Sequence, residues 1–210
     1  MSFIDEINND INWRMSELAS LKTIPLRYRL PTEHKQLLIK YSIPSMYALW
    51  EGFVKRAFGL YIKEINSLAI PINDVDINLL THALSSIDKL KLENPRTNYK
   101  TKKEFISLYQ NTICQPLVIT DKLPTKSNID FSVMNEILQY FNLEQLPDSF
   151  KTGLGKFLKF RNSISHGDDS IPITVKDIEF FSKLIIDLMT EILLIIETGY
   201  THQTYLKTAL

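Results

Sequence analysis

Cysteine is nearly absent. Cys114 stands alone among 210 residues, which excludes an internal disulfide framework and suits a reducing compartment. No charge sign is in excess, because 24 Lys and Arg balance 24 Asp and Glu. No global basic field therefore draws the chain to nucleic acid, and any such binding has to come from a local patch, helped by symmetry. Long hydrophobic runs are missing too. The most apolar stretch, residues 180–196, is interrupted by Lys183, Asp187 and Glu191, too short and too charged to span a bilayer. The opening MSFIDEINND is acidic and has neither the basic start nor the apolar run of a signal peptide. These absences place the chain in the cytoplasm, with no membrane partner. Neither a carboxylate cage for Mg²⁺ nor clustered zinc ligands can be read from the residues, so no metal or other cofactor is expected.

What is present is an ordinary globular composition, 44% hydrophobic and 23% charged. A chain of this length fits one domain, residues 1–210, and folding would bury about 70% of its extended surface. A self-sufficient core is thus within reach.

Helical periodicity dominates. Ile4, Ile7, Ile11, Met15 and Leu18 fall on one stripe. A second helix is expected from near Thr32 towards Ile65, with Tyr47, Trp50, Val54, Ala57, Tyr61 and Ile65 on one face and Pro44 kinking or splitting it. Asp76 can cap a third helix carrying Leu80, Ala83, Leu84, Ile87 and Leu90, and Asn94-Pro95 marks its stop. Residues 95–128 read as an irregular insertion, with 101–114 open to a helix and 115–128, holding two prolines, a loop.

Beyond it, Phe131, Met134, Ile137, Leu138 and Phe141 share a stripe after Asp130. Pro147 and Asp148 open a helix reaching Arg161. Thr174 and Asp177 have capping-box spacing ahead of a long helix with Ile178, Phe181, Ile185, Leu188, Ile192 and Ile195. Period-two alternation, repeats and low-complexity tracts are absent. The pattern predicts an all-α, up-and-down bundle.

The sharpest local feature is Lys159-Phe160-Arg161-Asn162-Ser163-Ile164-Ser165-His166-Gly167-Asp168. Arg161 offers a permanent charge and a donor fork suited to phosphate. His166 can exchange a proton near neutrality. Asn162 can orient the imidazole or a phosphate oxygen, and Gly167 permits the turn that ends a helix. A five-residue step on an ideal helix rotates a side chain by about 140°, so Arg161 and His166 converge only if the helix ends near His166.

Arg-Asn-x-x-x-His, late in a helical chain and before a final apolar helix, resembles the signature of the HEPN superfamily. It is more specifically similar to stand-alone bacterial HEPN proteins of toxin–antitoxin and phage-defence loci. The stretch Ser45-Met46-Tyr47-Ala48-Leu49-Trp50-Glu51-Gly52-Phe53-Val54-Lys55 resembles the family's early helix. Ser127-Asn128-Ile129-Asp130-Phe131 resembles its middle portion, and the likeness covers at least residues 1–198. It implies an HEPN-like bundle and metal-independent endoribonuclease activity, in which the RNA 2′-hydroxyl attacks the adjacent phosphorus. His166 would supply acid–base catalysis and Arg161 would stabilise the phosphorane. It also implies a homodimer whose twofold axis doubles both residues around one groove, RNA as substrate, and an antitoxin or other regulatory protein as possible partner.

Each residue also has a plainer role. Arg161 suits a helix C-terminus as a cation answering the dipole, and His166 a cap or a surface position. Asn162 can cap backbone groups. Ser163 and Ser165 read as turn-formers, and Asp168 and Asp169 as loop caps. Glu51 either faces Arg161 and positions it or is a solvated surface acid, whereas Trp50 reads as core. Lys156 and Lys159, with Lys151, can flank an RNA path. The basic stretch Lys89, Lys91, Arg96, Lys100, Lys102 and Lys103 reads as a solvated face. His34, His82, His202 and Cys114 are given no chemistry. A non-catalytic HEPN-like module that binds nucleotide or a partner protein, and a purely structural oligomerisation domain, are the competing readings.

Overall fold

A computed structural model describes residues 2–85, 99–113, 115–120, 123, 125, 128–168 and 172–207. Seven α-helices are described: α1 (Phe3–Arg27), α2 (Thr32–Ser67), α3 (Ile77–Ser85), α4 (Tyr99–Ile113), α5 (Phe131–Tyr140), α6 (Ser149–Ser165) and α7 (Val175–Thr201). A 3-10 turn, Ile72–Asp74, precedes α3. The described residues form no strand, only isolated bridges Pro71–Pro116 and Val75–Leu206. The chain is all-α, as its periodicity predicts.

Contacts fix the helix directions. Phe3 packs on Tyr61 and Tyr200, Arg56 pairs with Glu6, and Arg14 donates to the Leu49 carbonyl. α1 and α2 are therefore antiparallel. The Tyr200 hydroxyl donates to Glu64, which brings the C-terminal ends of α7 and α2 together. Phe157 and Phe160 lie against Phe181 and Gly153 faces Leu184, so α6 runs against α7. The end of α1, the start of α2, the end of α6 and the start of α7 consequently gather at one end of the bundle.

Most of the sequence expectations are met. Tyr47, Trp50, Val54, Ala57, Tyr61 and Ile65 are all buried, as are Ile178, Phe181, Ile185, Leu188, Ile192 and Ile195. The Thr174–Asp177 capping box forms, and Asp130 caps α5. The Asp76 carboxylate accepts from the Asn78 backbone at the start of α3.

Four expectations are corrected. Met15 is exposed, and Arg14 takes the buried position on the α1 stripe. It can do so because Asp10 binds its guanidinium at 2.7 and 3.2 Å, and Gly52 leaves it room. Of the two outcomes expected at Pro44, a kink or a split, the split does not occur: α2 is helical from Thr32 to Ser67, and packing on both sides outweighs the one backbone donor proline lacks. The buried face of α3 is Leu79, His82 and Ala83, with Leu80 and Leu84 at its margin, while Ile87 and Leu90 lie outside the described residues, as does the stop at Asn94-Pro95. The insertion is not wholly irregular, since α4 occupies Tyr99–Ile113 and Leu117 and Ile119 reach the core. Among the described residues, no helix is long and apolar enough to cross a membrane.

Candidate functional site

α6 ends in a well-formed stop. The Gly167 N–H donates to the Ile164 carbonyl and the Asp168 N–H to the Ser163 carbonyl, the paired bonds of a Schellman motif. Gly167 takes the left-handed conformation, φ +75°, which costs little without a Cβ. The Ser163 hydroxyl donates to the Asp168 carboxylate at 3.0 Å. Ser163 and Asp168 are thus turn-formers here. The motif fixes the backbone of His166 at the C-cap and leaves the residue exposed.

Arg161 is held more firmly. It is half-buried, and its guanidinium lies 4.3 Å over the Tyr47 ring. Nη1 donates to the side-chain oxygens of Asn128 and Asn162, both at 2.8 Å. Both bonds spend Nη1 alone, and no described residue takes the protons of Nη2 or Nε. The outer edge of the fork, three N–H donors in one plane, remains available to an anion such as phosphate.

The support beneath is built by α2. Tyr47 and Trp50 are three residues apart and project from one face. The Tyr47 hydroxyl accepts from the Ile129 N–H at 3.0 Å, and the Trp50 indole donates to the Ile129 carbonyl at 3.2 Å. A single buried peptide segment is thereby clamped, and the neighbouring Asn128 is delivered to Arg161. Burial pushes the Tyr47 phenol up. The Ile129 N–H and Arg161 pull it down, and the Glu51 carboxylate raises it further. Tyr47 is thus a neutral platform beneath the cation.

The other expected site residues are distributed unevenly. Asn162 joins Arg161, so its amide orients the guanidinium rather than the imidazole. Glu51 does not pair with Arg161; its carboxylate bonds Lys55 at 2.6 Å and its charge helps raise the Tyr47 phenol. Lys156 is committed to structure. It pairs with Asp177 at 3.1 Å and lies over Phe160, Phe180 and Phe181, which weakens its claim to an RNA path. Lys159 is exposed. No hydrogen bond joins Arg161 to His166 within the subunit. Because α6 stays helical through Ser165, the two side chains leave it about 140° apart, and the helix ending does not bring them together.

Two participants escaped sequence reasoning in this role: Tyr47, which read as core, and Asn128, which appeared only as part of the family likeness. Their signal was the i, i+3 spacing of Tyr47 and Trp50, two ring residues with polar atoms on an apolar face, which need buried partners. Among the described residues, no three His, Cys, Asp or Glu side chains cluster in a way that could hold a metal ion. Cys114 and Asp169 lie outside those residues, as do Lys89, Lys91, Arg96 and the side chain of Lys100.

The all-helical bundle, with an arginine held near the end of α6 and a histidine at the cap of that helix, is consistent with an HEPN-like fold. The chain belongs to the HEPN_MAE_28990-like HEPN family, whose model matches residues 3–205. That membership is consistent with a nuclease or RNA-related module. No curated protein and no solved structure matches the chain significantly.

Proposed function

We propose that the protein is a metal-independent endoribonuclease acting as a homodimer, a toxin or phage-defence effector restrained by a partner protein. The observation that carries this reading is the guanidinium of Arg161, fixed through Nη1 by Asn128 and Asn162 with no described residue on its other donors, and an exposed His166 at the cap of the same helix. In the proposed reaction a ribose 2′-hydroxyl attacks the adjacent phosphorus and passes its proton to one imidazole. The P–O5′ bond breaks and the leaving oxygen takes a proton from a second imidazole. The products are a 2′,3′-cyclic phosphate and a 5′-hydroxyl. Arg161 stabilises the charge that builds on the phosphorane oxygens. Two imidazoles require two subunits.

The test is incubation of purified protein with RNA and mapping of the product ends. His166→Ala is expected to lower the cleavage rate by about 10²- to 10⁴-fold, and Arg161→Ala to be comparably damaging. Cleavage at the wild-type rate in both variants would refute the assignment. The divergence of Arg161 and His166 within one subunit gives substance to a second reading, a module that grips a phosphate through Arg161 without cutting. Measurable nucleotide binding without cleavage would select it.

A further inference from the structure

The last turns of α1, the first turns of α2 and their connection carry a concentrated positive charge. Residues 22–41 hold Lys22, Arg27, Arg29, Lys35 and Lys40 against a single acid, Glu33, a net +4 in a protein whose total is zero. Arg27 and Arg29 are exposed, and no described carboxylate pairs with either. Interleaved with these cations are tyrosines turned to solvent: Tyr28 is 59% exposed and Tyr41 53%. The Lys40 ammonium sits 6.0 Å over the Tyr41 ring.

The position of this tip matters as much as its charge. Tyr47 of α2 lies under Arg161, and the end of α6 and the start of α2 point to the same end of the bundle. From Tyr47 back to Thr32, α2 therefore extends about 22 Å past the arginine, in the direction of His166. Lys40, seven residues before Tyr47, falls on the same helical face. α6 itself carries Lys151, Lys156, Lys159 and Arg161 and no acid. The basic tip thus lies at the same end of the bundle as the end of α6, which carries Lys159, Arg161 and His166.

We infer that the α1–α2 tip is a docking arm for single-stranded RNA, in which the cations track phosphates and Tyr28 and Tyr41 stack on bases. Cations combined with exposed rings are the pairing that single strands reward, because every base has a stacking face and every linkage a charge. A duplex hides its base faces from such rings. A second copy of this chain is a poorer occupant, since twofold pairing through the tip would press two +4 surfaces together. The inference deepens the ribonuclease reading and rests on it for the choice of RNA as the polyanion.

The full chain carrying His166→Ala, which halts turnover, is titrated with a short labelled single-stranded RNA across a salt series. Adding Arg27→Ala and Arg29→Ala should weaken binding and make the slope of log K against log salt shallower by about 1.4, since each lost phosphate contact removes roughly 0.7. Tyr28→Ala with Tyr41→Ala should weaken binding about tenfold or more, with the slope unchanged. Sedimentation of the same variants reports their oligomeric state. Wild-type affinity and slope in both variants overturn the arm, even if the wild-type enzyme cuts RNA. Dissociation of a dimer by these substitutions also overturns it and makes the tip a subunit interface. Loss of binding at constant oligomeric state supports the arm, and does so even if the wild-type protein proves unable to cleave, in which case only the nuclease reading fails.

Discussion

Removing one oxygen, by Tyr47→Phe, tests whether α2 positions Arg161 through the backbone of Ile129. Tyr47 is 2% exposed and Ile129 fully buried. The substitution leaves the ring in place, so packing on Phe157 and the platform under Arg161 persist. What is lost is the acceptor for the Ile129 N–H, 3.0 Å away. A buried N–H without a partner costs about 1–3 kcal/mol, and in a protein of this size each kcal/mol lowers Tm by about 2–4 °C. Urea unfolding with an unchanged m value reads that loss directly. A functional loss should accompany it, because the loosened segment carries Asn128, whose side chain bonds Nη1 of Arg161. RNA cleavage by Tyr47→Phe should fall, and combining it with Asn128→Ala should add little further damage, since both act on the same bond. If Tyr47→Phe is as stable as wild type within about 0.3 kcal/mol, or if the two substitutions add in full, the clamp does not work as described.

Burial holds the His82 imidazole below its ordinary value, so on acidification the unfolded chain takes up that proton before the folded one. The stability His82 confers is complete above pH 6.5 and declines as pH falls below it; urea midpoints across that range should show the decline, and His82→Phe should flatten it. Gly199→Ala would drive its methyl into the Leu143 side chain and close to the Thr204 hydroxyl, so thermal unfolding should register an overpacking cost of about 1–3 kcal/mol. Adding an excess of His166→Ala to wild type should depress cleavage by the wild-type subunits, because each mixed dimer keeps only one of the two imidazoles the proposed groove needs. Cleavage that stays constant while subunits exchange would rule that arrangement out.

Much of this fold is written in spacing. The α2 and α7 stripes are long and regular enough for burial to follow from the 3.6-residue period alone, and the cap at Thr174 was visible because its capping-box spacing with Asp177 stands just before an apolar run. Periodicity misled where a polar residue found a partner inside. Arg14 displaced Met15 because Asp10 and the Leu49 carbonyl satisfy it, a pairing that hydropathy does not encode. α3 went astray for a related reason, since His82 is buried by stacking on Tyr140 at 5.0 Å. At the candidate site, chemical type singled out Arg161 and His166, and Gly167 marked the turn between helix and loop. The grip on Arg161 was not readable, because Asn128 lies 33 residues away and Tyr47 reaches it across the bundle. Glu51 shows the limit of adjacency: it sits one residue from Trp50 on α2, yet its carboxylate turns to Lys55.

The contrast between the two candidate catalytic residues bears on how such a site would work. Arg161 has given up most of its side-chain freedom, held by two amides and a ring, so little ordering entropy is left to lose when a phosphate arrives. His166 is fixed in backbone but not in side chain, and its imidazole must still be oriented for proton transfer. In the proposed dimer the missing constraint comes from outside the subunit, from RNA or from the facing surface of the second copy. Stable protein can then exist before a competent site does. A partner that blocked either contact would silence the proposed activity without disturbing the arginine.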